Sequence, residues 1–313
     1  MSGDPRAVRQ AAFGDRPDLP VRVRPGTAPV ERWLVAVALG GQGRYAAAAA
    51  ELGGLLADPS VPTAVAAHAA ITRAAHRRQQ GGHAAARPDD ALGLRLALAA
   101  GGRGDPTVDG TDARAARIDA LVGLAADAVG LGAAAVAVRL LDRADREAED
   151  HPSWRPAVRT GWVRAEVALL RGRADEAVPP AERALAGARV AGSARHVLKS
   201  RLVLVVARGA AGVLAPADAV EELDAIATGC ARLSQLPLEW PCALAAADLL
   251  DAIAARERDE RPGANDVTAR TGQRCPDGRA NGATRRRHAA ALTMSVIENR
   301  SDPVGKRLSG VSL

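Results

Sequence analysis

The residues able to do chemistry in this chain are scattered along it. Of six histidines, His68 and His76 fall on one predicted helix, yet neither is followed four residues later by a histidine or a carboxylate, the pairing through which a helix offers a metal two ligands. The others are His83, His151, His196 and His288. Cys230, Cys242 and Cys275 are odd in number and lack a C-x-x-C spacing, which predicts reduced thiols and neither a disulfide framework nor a zinc site. The glycine-rich "GGQGRY" (40–45) joins two predicted helices and reads as a turn, not a phosphate cradle, and no nucleophile elbow or Walker motif is present. Carboxylates such as Glu147, Glu149 and Asp150, or Glu221, Glu222 and Asp224, alternate with apolar positions at helical spacing and read as solvated faces. The expectation is a non-enzymatic protein without metal or cofactor.

The elements that would carry any binding surface are helices. Of 313 residues 48% are hydrophobic, but with one Phe, one Tyr and two Met the apolar material is mostly Ala, Leu and Val. Ala and Leu lead the helix-propensity ranking and strand formers are sparse, so the class is all-α. Forty Arg against two Lys, Lys199 and Lys306, leave a formal net charge of +6, of which +5 falls from Arg256 onward, so the body is nearly neutral. The opening "MSGDPRAVRQAAFGDRPDLPVRVRPG" has no apolar signal core, which predicts a cytoplasmic chain. The run 120–138 is long enough to span a bilayer, but Asp127 and several glycines sit inside it, so a buried helical hairpin is expected and no membrane partner.

One unit recurs: an apolar helix, a glycine turn, then a second helix with three inner positions. "WLVAVALGGQGRYAAAAAELGGLLADP" (33–59) places Ala48, Leu52 and Leu55 inside after Gly43. "IDALVGLAADAVGLGAAAVAVRLLDRA" (118–144) repeats it with Gly132, Ala137, Leu141 and Ala144, and "GWVRAEVALLRGRADEAVPPAERALA" (161–186) with Gly172, Ala177, Ala181 and Ala184. Two fainter copies have turns at Gly81 and Gly82, with Pro88 weakening the second helix, and near Leu214, followed by Ala219, Leu223 and Ile226. Pro179 and Pro180 lie too far into their helix for the first turn and predict a restart at Pro180. A last helix is expected from Pro241 to about Arg256, after the break "LPLEW".

This arrangement resembles the tetratricopeptide-repeat family. The resemblance implies a right-handed solenoid of stacked antiparallel hairpins over 29–256, each covering an apolar face that its neighbour leaves open. It also implies a groove lined by the first helix of each hairpin, which would take a peptide or protein segment. The side chains expected there are Trp33, His68, Arg78, Gln79, Asp119, Arg159, Trp162, Glu166, Arg201 and Arg208. Trp33 and Trp162 occupy equivalent places; either they face a guest, as interface aromatics do, or they seal the hairpin packing. The Asn-containing clamp that some members use for a carboxylate is absent, since Asn265, Asn281 and Asn299 all lie near the C-terminus.

Residues 1–28 and 257–313 are rich in Pro, Gly and charge and are expected to be disordered. Within the second, "TRRRHAAALTMSVIENRSDPVGKRL" offers Arg285, Arg286, Arg287, Lys306 and Arg307 beside a short apolar run. That leaves a second function open, a transcription-related regulatory module contacting nucleic acid through this tail, or a tail helix that folds on a partner.

Overall fold

The computed structural model describes residues 4–101, 106–259 and 278–309, with fourteen helices and no strand among them. Five hairpins follow one another: α2 (Pro29–Gly41) with α3 (Tyr45–Ala57), α4 (Thr63–Arg78) with α5 (His83–Ala99), α6 (Ala113–Gly130) with α7 (Ala134–Ala148), α8 (Trp154–Leu170) with α9 (Ala174–Val190), and α10 (Ala194–Ala210) with α11 (Pro216–Arg232). Each first helix packs on its own second helix and on the next first helix, from α2 through α4, α6, α8 and α10. The first helices therefore form one continuous inner layer.

The five turns are alike at the level of single hydrogen bonds. Gly43, Gly81, Gly132, Gly172 and Gly212 all have positive φ, between 70° and 81°. The next residue in each case, Arg44, Gly82, Ala133, Arg173 and Val213, donates its N–H to a carbonyl five residues back, at 2.8 to 3.0 Å. This is a Schellman cap, which a side chain at the left-handed position would strain. The fifth turn thus follows the same rule through Gly212, two residues before the expected position at Leu214.

The predicted inner positions are buried: Ala48, Leu52 and Leu55, then Ala137, Leu141 and Ala144, Ala177, Ala181 and Ala184, and Ala219, Leu223 and Ile226 are all at 0 or 1% exposure. In α5 the same register from the turn glycine gives Ala86, Asp90 and Gly93, so a carboxylate stands where other hairpins carry leucine or alanine. Pro88 does not break that helix. Nor does α9 restart at Pro180: it runs through Pro179 and Pro180 without interruption. The backbone of Pro180 lies so close to Gly161 of α8 that a Cβ there would collide with its carbonyl oxygen, and burial of Ala177, Ala181 and Ala184 holds the helix together despite the lost N–H donors.

The ends require the largest correction. The last repeat helix, α12 (Leu236–Asp259), begins inside the supposed break and includes Pro241. It pairs with α13 (Gly278–Asn299), followed by α14 (Pro303–Ser309), so the described part of the segment expected to be disordered is helical and packed. Ala283, Ala290, Met294 and Ile297 recur at helical spacing on the buried side of α13, too sparsely to stand out in the sequence. In the N-terminal segment, α1 (Pro5–Phe13) is capped by Asp4 and buries Val8, Ala11 and Ala12. Residues 1–3, 260–277 and 310–313, with Cys275 and Asn265, lie outside the described residues, as does the R-G-D triplet at 103–105.

Both ends close the stack on itself. The N–H of Ala194, at the start of α10, donates to the carbonyl of Gly14 at 3.0 Å, and the Gln42 amide donates to the carbonyls of Pro17 and Leu19. From the other end, the N–H of Ala46 donates to the carbonyl of Arg300 at 2.7 Å, Gln80 donates to Ser301, and Tyr45 of α3 packs on Met294 and Ile297.

Candidate functional site

The inner layer encloses a cavity of about 600 Å³, within the size range of pockets that hold small ligands. Eight of the ten residues assigned to a groove from the sequence line it: Trp33, His68, Arg78, Gln79, Asp119, Arg159, Trp162 and Glu166. Arg201 and Arg208 do not. Arg208 instead pairs with Glu182 of α9 at 2.7 Å, away from the cavity.

The two tryptophans anchor matching clusters with different exposure. Trp33 is 2% exposed, stacks on His68 with centroids 4.6 Å apart, and donates its indole N–H to Thr72, 39 residues on, at 2.8 Å. Trp162 is half-buried, stacks on His196 at 5.4 Å, and donates to Ser200, 38 residues on, at 2.8 Å. In each case a first helix supplies the indole and the next first helix supplies a histidine and, one turn later, a hydroxyl. Both line the cavity, but Trp33 is almost wholly enclosed by its neighbours, whereas Trp162 keeps part of its surface open.

Burial keeps three histidines of the cavity wall, His68, His76 and His196, neutral. Burial, reinforced by Arg155, pushes His68 down to about 4, and burial with Arg195 and Arg78 nearby pushes His76 down to about 3. Burial, then Arg195, Arg155 and Arg159, depress His196 well below its usual value. Its Nδ1 shares a hydrogen with the Ser193 hydroxyl at 2.8 Å.

Two buried charge clusters flank these rings. In the first, the Asp119 carboxylate of α6 holds both Arg155 and Arg159 of α8, Arg159 at 2.5 Å. Burial alone would raise Asp119, but the two guanidiniums outweigh it and hold the carboxyl below its usual range. Arg155 also donates to the Asp109 and Gly110 carbonyls and lies 4.5 Å from the centre of the Phe13 ring. Phe13, at the end of α1, thereby forms one wall of the cavity.

In the second cluster, Arg78 of α4 pairs with Asp90 of α5 and with Asp127 of α6, the latter at 3.1 Å. Burial raises both carboxyls above their usual range, against the pull of Arg78. Gly123 clears the space: a Cβ there would fall on the Asp90 carboxylate. Neither Asp90 nor Asp127 lines the cavity, so the pair stabilises Arg78 from behind.

Further along, the Tyr45 hydroxyl donates to Gln79 at 2.8 Å, and Lys199 meets Glu166 at 3.5 Å. Arg195, Arg155, His196 and Trp240 are lining residues that sequence reasoning missed. His196 had a signal, since His68 with Thr72 and His196 with Ser200 repeat one spacing, each downstream of a tryptophan. Arg155 and Arg195 had none, because forty arginines make any one of them inconspicuous.

The C-terminal cations divide. Arg286 pairs with Asp224 of α11, its Nε at 2.9 Å, and Arg287 reaches Asp248 and Asp251 of α12 at 2.8 and 2.7 Å. Arg285, Lys306 and Arg307 are exposed. Cys230 and Cys242 are buried free thiols. Among the described residues no three His, Cys, Asp or Glu side chains gather to hold a metal ion, and no helix is long and apolar enough to cross a membrane. No protein-family model matches the chain, and no curated protein does.

Proposed function

We propose that the chain is a non-enzymatic helical-repeat protein of tetratricopeptide-like organisation, acting as a scaffold or adaptor that takes a peptide or protein segment into the space enclosed by its inner helices. The observation that carries this reading is the cavity itself, lined by α2, α4, α6, α8, α10 and α12 together. Repeat surfaces of this kind bind through side chains presented in series by stacked elements. Here the series includes part-exposed Trp162 among paired charges, the composition from which interface hot spots are made.

Selection of a random peptide library on the immobilised full-length protein tests it. The expected outcome is an enriched peptide family whose affinity drops at least about tenfold in Trp162→Ala and is unchanged in Arg208→Gln, which lies outside the cavity. Recovery of no peptide, or of peptides indifferent to Trp162, would count against the reading. Turnover of a bound peptide would overturn its non-enzymatic part.

A further inference from the structure

We infer that the guest of this cavity carries a negative group, a carboxylate or a phosphate, and that this group seats on the Arg195 guanidinium with Arg159 beside it. The inference rests on the binding reading above and names the chemistry of the occupant.

It follows from how the charges in the wall are matched. Five cationic side chains line the cavity, Arg78, Arg155, Arg159, Arg195 and Lys199, against two carboxylates, Asp119 and Glu166. Asp90 and Asp127 answer Arg78 from outside the wall, and Glu166 answers Lys199. Arg155 and Arg159 must share Asp119. Arg195 is left over. Among the described residues no carboxylate pairs with it; the titratable groups acting on it are Tyr45, Arg159 and the Cys230 thiol, and the unpartnered amide oxygen of Gln235, neutral, shares the space beside Gly41 with its Nη1. The one hydrogen bond its guanidinium makes to a described residue is a long one, 3.4 Å to the carbonyl of Val37. His76 and His196 beside it are held neutral by burial and add no negative charge.

A guanidinium offers five donors in a planar fork, and an uncompensated one in an enclosed site calls for an oxyanion that can accept two of them. Gly41 makes room for the guanidinium itself, since a Cβ there would crowd the Arg195 Nη1. The ring of Trp240 lines the cavity too, and its indole nitrogen is buried without a hydrogen-bond partner among the described residues. Trp162 and Val163 supply apolar surface for the body of the guest.

Three of the four tryptophans, Trp33, Trp162 and Trp240, line the cavity, so intrinsic fluorescence reports its occupancy. The full-length chain is titrated with succinate and, separately, inorganic phosphate, each against sodium chloride at equal ionic strength. The expected result is a saturable change with at least one anion, with a midpoint below about 10 mM, as suits a small ligand held by few contacts. Which of the two saturates distinguishes carboxylate from phosphate. Arg195→Gln raises that midpoint at least tenfold, and Arg208→Gln leaves it in place. Should the glutamine variant fail to fold, Arg195→Met, which keeps the aliphatic stem, is read instead with the same expected loss.

A response that follows ionic strength in chloride alike, or a saturable response that survives loss of Arg195, overturns the inference. Neutral peptides that bind and depend on Trp162, with no anion response, would overturn the charge assignment and leave the binding reading standing. A saturable anion response without any selected peptide would do the reverse.

Discussion

At the scale of single residues, two tryptophans in equivalent sequence positions have unequal work. Trp33 is enclosed by α1, α4 and the Phe13 ring, so Trp33→Ala removes a buried indole and is expected to cost about 3–5 kcal/mol. Trp162 keeps part of its surface open, so Trp162→Ala should cost less, about 2 kcal/mol, leaving a folded variant for binding measurements. Denaturant melts of the two variants decide between them; equal losses would mean that Trp162 is core. His68 gives a pH signature. Its folded pKa of about 4 lies below the ordinary value of 6.5, so the unfolded chain binds a proton that the native state refuses. Stability from this group is complete above pH 6.5 and falls as the pH drops toward 4, at about 1.4 kcal/mol per unit. The stability difference between the parent and His68→Gln should therefore shift by about 2 kcal/mol against the parent between pH 6.5 and 5. A difference that does not change with pH would show that the fold leaves the His68 pKa where the unfolded chain has it, and a shift in the parent's favour that His68 is protonated in the fold.

At the scale of elements, the hairpins were legible because turn and packing obey local rules. A glycine capping the first helix and small residues in fixed register after it are patterns that neighbouring residues impose on one another, and four of the five turn glycines were found this way. What stayed hidden depended on distant partners. Asp90 reads as a polar interruption of α5 until Arg78 and Asp127 are seen around it, and Pro179 and Pro180 read as a helix start until the contact with Gly161 is known. Likewise α1 is short and α13 buries too few side chains to announce an amphipathic helix, and the bonds from Ala194 to Gly14 and from Ala46 to Arg300 join segments far apart in sequence. Pro179 is exposed and sits where a helix expects an N–H, so Pro179→Ala restores a hydrogen bond at no packing cost. It is expected to stabilise the protein by up to about 3 kcal/mol in a denaturant melt. A loss of stability would show that the proline holds a bend on which α8 depends.

At the scale of the whole molecule, the C-terminal helices are structural parts of the fold. Ile297 is 1% exposed against Tyr45 and Met294, so Ile297→Ala should cost about 2–5 kcal/mol, whereas substitution in a solvated tail would leave the melting curve within about 0.5 kcal/mol of the parent. The cavity wall and the packing surfaces are also shared: Phe13 belongs to α1 yet forms part of the wall, and Trp240 belongs to α12 yet packs on the cluster of Tyr45, Met294 and Ile297.

The Gln80 to Ser301 bond joins residues 221 apart, and with Ala46 to Arg300 it ties the last helices to the first two hairpins. An open array of repeats can lose or gain a unit at either end, unzip from its weaker end, and fold outward from whichever unit forms first. A closed one cannot. Its final contacts wait until nearly the whole chain has been made and arranged, which places a large loop-closure cost late in folding and couples the melting of its two ends. The number of hairpins is then fixed by circumference: duplication or deletion of one unit, the ordinary route by which repeat proteins change length, would here break the circle and open the charged interior to solvent.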